Sequence, residues 1–148
     1  MSLSNYDMGP VKELIKVLNG GVEFYKEAKE ELSDNTLATI FNKMITEKTR
    51  AISELQTYVL IDEGEIEDDS DLVVTMREKY TKLLTVVRAD KEHTYLDQLE
   101  EVEDRVLDKL SDAMEASLPE PCNIALSQIQ IRMQACHDEM KALQQASA

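Results

Sequence analysis

Carboxylates and imidazoles carried on helices are the groups through which this chain could bind a metal ion. Glu47 precedes Arg50 by three residues, the spacing at which a glutamate and a histidine on one helix converge on an ion. Arg50 cannot stand in for that histidine, because a guanidinium stays protonated and has no lone pair to donate. Glu47 falls on the flank of its apolar stripe, and Lys48 is the charged residue nearest the stripe. Glu103 falls between Leu99, Val106 and Leu110. It therefore calls for a charge or hydrogen-bond partner, a water, a metal, or a half-exposed boundary position, with Lys48 the simplest partner across the core. His137 sits at the edge of the last stripe, near Met133, Cys136 and Met140, with Gln134 rather than a glutamate three residues before it.

Glu47, Glu103 and His137, with Glu27 as a more distant fourth, are the candidate ligands for iron or manganese. Two such ions could support oxygen chemistry. A two-metal helical core, however, uses four carboxylates and two histidines converging from four helices, and no Glu-x-x-His pair occurs here. His93 shares the outer face of another helix with Asp90, Asp97 and Glu100, a weak set for a divalent ion in which Asp90 has helix capping as its simpler task. No catalytic residue stands out, since the chain lacks a nucleophile elbow, a phosphate-binding glycine loop, a zinc helix and a dinucleotide fingerprint. The leading expectation is a noncatalytic structural or protein-interaction module, and the alternative is a divalent-metal-binding protein.

The positioning elements follow from periodicity. Glycines and prolines are few, strict alternation is absent, and apolar residues recur at three and four, so the chain is expected to be all-α. The first helix is expected from about Pro10 to Leu32, with Gly20-Gly21 marking a close helix crossing, and the second from about Asp34 to Leu60 behind a Ser33 or Asp34 cap. The stretch DEGEIEDDSD (residues 62–71) reads as a solvated acidic linker, because it lacks the ligand and glycine positions of a calcium loop. A short helix is expected over about residues 72–87. A third long helix follows from an Asp90 cap to before Leu118, and a fourth after Pro121. The short links near Ser33 and Pro119 make two antiparallel hairpins, while the long connection between them allows the second and third long helices to run parallel. One domain is expected over residues 1–148, with its core at about 10–143.

Charge narrows the partners. Sixteen basic against thirty acidic residues give a net charge of −14, which repels phosphate backbones and anionic membranes, so neither nucleic acid nor membrane is expected as a partner. A start without the basic and apolar regions of a signal peptide reads as cytoplasmic. Closed twofold association makes a homodimer the favoured assembly. Cys122 and Cys136 form no thiolate metal pattern, and Cys136 falls on an apolar stripe as a small hydrophobe.

Four segments in order, LIKVLNGGVEFYKEAKE (residues 14–30), ISELQTYV (52–59), EEVED (100–104) and the terminal His137, resemble a bacterial family of ferritin-like four-helix-bundle proteins of unknown function. The resemblance spans about residues 10–143 and implies the bundle fold, with no reaction or ligand attached. The family's E-R-x-x-F-I-x-E-L-Q segment corresponds to EKTRAISELQ (residues 47–56), where Lys48 follows the first glutamate. Val102 stands where the family has a glycine before its Glu-Asp pair.

Overall fold

The computed structural model describes residues 6–69 and 88–147. These form four helices: α1 (Gly9–Leu32), α2 (Asn35–Glu63), α3 (Arg88–Met114) and α4 (Glu120–Ala146). The short helix expected over about residues 72–87 lies outside the described residues.

Each boundary has a local cause. Pro10 occupies the first turn of α1, where its missing N–H would have had no helical partner. Ser33 ends α1 in the left-handed region at φ 49°, and Asp34 then caps α2 by accepting a hydrogen bond from the Leu37 N–H at 2.9 Å. Asp34→Ala should lower stability by about 1 kcal/mol, read from the midpoint of urea unfolding, because that N–H loses its partner.

α2 runs three residues past the expected Leu60 and stops at Gly64, whose φ of 79° suits a residue without a Cβ. The acidic stretch thus begins inside the helix, and its next residues are tied down. Gln56 clamps the Glu67 backbone by accepting its N–H and donating to its carbonyl, and the Asn19 amide donates to the Asp69 carbonyl at 2.8 Å. α4 starts one residue before Pro121 rather than after it, since a first-turn proline forfeits no helical bond.

Contacts between helices give the topology. Lys29 reaches Asn42, and Lys12 pairs with Glu63, so α1 and α2 are antiparallel. The Phe24 and Tyr95 rings lie 5.8 Å apart and Lys91 pairs with Glu31, which makes α3 antiparallel to α1. Lys43 pairs with Glu139, and Tyr58 donates to the Pro121 carbonyl, so α4 is antiparallel to α2. α2 and α3 therefore run parallel, and the chain must return the length of the bundle between them, as in ferritin-like bundles.

Each helix buries its stripe in one apolar cluster. α1 buries a wider face than a single stripe, because it packs on both α2 and α3. Tyr25 meets Phe41 on α2 while its neighbour Phe24 meets Tyr95 on α3. No helix among the described residues is long and apolar enough to cross a membrane.

Candidate metal centre

Two polar sites stand out, one inside the bundle and one on its side. Inside, Lys48 and Glu103 are both fully buried. The Lys48 ammonium donates to Glu103 Oε1 at 2.7 Å and lies 2.5 Å from Oε2, and the Tyr25 hydroxyl donates to Oε2 at 2.5 Å. Tyr25 stays a donor because burial, reinforced by the Glu103 charge, pushes its pKa well above the ordinary 10. Its ring also lies under the ammonium, 5.1 Å from the centroid.

Gly21 lets Val102 of α3 come close to α1 beside this layer. A Cβ there would come within 3.1 Å of Val102 Cγ1 and 3.5 Å of both Lys48 Cδ and Cε, so the lysine stem crosses α1 where α1 has no side chain. Cys136 borders the same layer. Burial dominates its thiol, and with the Lys48 ammonium pulling down and Glu103 pushing up, the pKa is pushed up to about 11.

This layer does not fit the pair of metal ions that a ferritin-like fold implies. Both oxygens of its carboxylate are engaged by the protein's own donors, and an ammonium stands among the groups that would have to be ligands. The candidate ligands named from sequence are not brought together. Glu47 lies in the groove between α2 and α4, 3.2 Å from Arg132 Nε, Glu103 is in the core, and His137 is on the other side of α4, facing α3. Glu27 on α1 is half-buried and belongs to none of these groupings. Of the set read on the outer face of α3, His93 and Asp97 each meet the end of α4 or the residue after it. His93 Nδ1 is 2.7 Å from Ser147 Oγ, Asp97 accepts from Gln144, and nothing is described of the Asp90 side chain.

The structure instead groups Glu100 and Asp104, one turn apart on α3, with His137 on α4. One ligand atom from each lies within 4.8 Å of the others. His137 Nε2 is 2.6 Å from Asp104 Oδ1 and 3.6 Å from Glu100 Oε1, while Nδ1 is 3.2 Å from Asp138 Oδ1. The imidazole is mostly covered, at 13% exposure, and Asp104 is open to solvent at 53%. Burial alone would lower the His137 pKa, but hydrogen bonds to Asp138 and Asp104 and the charges of Asp104 and Glu100 outweigh it and hold the pKa above its ordinary value. Burial raises the Glu100 pKa, and the neighbouring Asp104 charge adds to the rise.

The sequence reading named His137 but missed these partners, having placed Glu100 with His93. A signal for the pairing did exist. Contacts across the α3–α4 hairpin, His137 with Asp104, Gln144 with Asp97 and Ser147 with His93, are nearly symmetric about Glu120, so the turn sets the register.

The family described as Domain of unknown function (DUF2383) matches residues 10–116. The chain belongs to this family. The match takes in α1, α2 and α3, and therefore Tyr25, Lys48, Glu100, Glu103 and Asp104, and it ends before α4 and His137. Neither a curated protein nor a solved structure matches the chain.

Proposed function

We propose that this protein binds one divalent transition-metal ion per chain through Glu100, Asp104 and His137. The observation that carries this reading is the environment of the imidazole. Its Nε2 faces two carboxylates, and its other nitrogen has a third carboxylate, Asp138, as partner. That is the usual support of a metal-bound histidine, whose second N–H donates to a carboxylate that fixes the tautomer and strengthens the donor nitrogen.

One imidazole with two carboxylates suits manganese, ferrous or zinc ions, and three protein ligands leave positions for water or an exchanging ligand. Donor atoms around such an ion stand about 3 Å or more apart. The 2.6 Å contact would therefore have to widen, which the solvent-exposed Asp104 side chain can allow. This reading gains more from the geometry than the noncatalytic bundle does, and it confines metal to the side of the bundle. A two-metal oxidase finds no support in the donor set.

The test is metal analysis of untagged protein after anaerobic loading with ferrous or manganous ion and dialysis. Wild type should retain about one ion per chain, and His137→Ala should retain none while remaining helical. Asp138→Asn should bind about tenfold more weakly, through the loss of outer support alone. Equal trace retention by wild type and His137→Ala would sink the proposal and leave His137 as an imidazolium paired with its carboxylates.

A further inference from the structure

The buried layer of Tyr25, Lys48 and Glu103 is unused by the side-on metal site, and its chemistry is that of a cation-binding site already filled. We infer that the Lys48 ammonium is a resident cation of the bundle core, and that the space it occupies is a binding site for a small organic cation once the side chain is removed.

Three observations support this. The first is charge balance. The layer contains one carboxylate and one ammonium, both fully buried, so a single positive charge neutralises it. A divalent ion would leave an excess of charge that no second buried carboxylate among the described residues could offset.

The second is the receptor around the ammonium. Glu103 meets it with both oxygens, the Tyr25 ring covers it at 5.1 Å, and the Tyr25 hydroxyl donates to Oε2 of the same carboxylate. A carboxylate combined with an aromatic face is how proteins recognise ammonium ligands in general. The third is the path of the stem, which reaches the site past Gly21, where a Cβ would stand 3.5 Å from Cδ and Cε, at van der Waals distance. The space the stem occupies therefore leads past the α1 backbone to the Glu103 carboxylate, the path an alkylammonium would take.

The inference can be tested by removing the side chain and returning its missing part. Lys48→Ala keeps the Cβ and lacks a propylammonium. Stability is read from helical circular dichroism during thermal and urea unfolding, in equal concentrations of propylammonium chloride, sodium chloride or 1-propanol. Propylammonium should stabilise Lys48→Ala with a logarithmic dependence on its concentration above Kd, by about tenfold in the folding equilibrium at ten times its Kd. If the variant does not fold alone, the same ion should restore its helical signal.

1-Propanol, which fills the space of the stem without charge, should not reproduce the effect. Lys48→Met, with that space filled and the charge absent, should not respond to propylammonium. Rescue by propanol equal to that by propylammonium would show that the space is merely apolar, and no rescue by either would show that no cation site exists there. Both results overturn the inference. The experiment contains no metal, so its outcome is independent of the Glu100–Asp104–His137 proposal.

Discussion

Glu103→Ala is expected to lower folding stability by about 3–5 kcal/mol, because it leaves the Lys48 ammonium in the core without its counter-charge. Both side chains are fully buried, so water cannot replace the missing carboxylate without opening the bundle. The Tyr25 hydroxyl, hydrogen-bonded to the same carboxylate, loses its acceptor in the same step. The size of this loss does not measure the worth of the pair. Two buried ions surrender their hydration when the chain folds, and their attraction regains it only in part.

The double variant Lys48→Met, Glu103→Leu should therefore be far less damaged than Glu103→Ala, since no uncompensated charge remains. Urea unfolding of wild type, Lys48→Met, Glu103→Leu and the double variant forms the cycle that isolates the pair's coupling. A loss below about 1 kcal/mol for Glu103→Ala would mean that the ammonium reaches water by another route.

Leu99→Ala should cost about 2–5 kcal/mol, through lost apolar transfer and the cavity left behind. Leu99 is fully buried one turn before Glu103 on the same face of α3, next to the buried Tyr95, Leu96 and Val102 of that helix. Close packing on several sides prevents full collapse around the smaller side chain. Chemical denaturation reads the effect as a lower midpoint at an unchanged slope. A loss under about 0.5 kcal/mol would contradict the burial of this face.

The four long helices were legible in the sequence because a helix must bury its apolar stripe, and the 3.6-residue period exposes which residues form it. The antiparallel hairpins and the parallel pair followed from connection lengths, since a short link cannot carry the chain back along the bundle. Residue boundaries were less exact. The helical run of α2 into Glu63 and the start of α4 before Pro121 depend on which backbone groups find partners at each end.

Lys48 and Glu103 could be recognised as the charges nearest their stripes, because a helical wheel gives direction. It gives no depth, and their complete burial is a property of the four packed helices, with Gly21 allowing Val102 of α3 to approach α1 beside them. The cluster at His137 depended still more on tertiary structure. On the wheel of α3 alone, Glu100 and Asp104 fall away from the stripe, with His93 and Asp97 among other acidic residues, and nothing within one helix tells a carboxylate facing open water from one lining a groove. The axial register of α4, set by the turn around Glu120, puts His137 against that pair and leaves His93 beside Ser147. A side chain's chemistry is written in its residue type, but its partner belongs to another helix, so the distance between them exists only after the helices have packed.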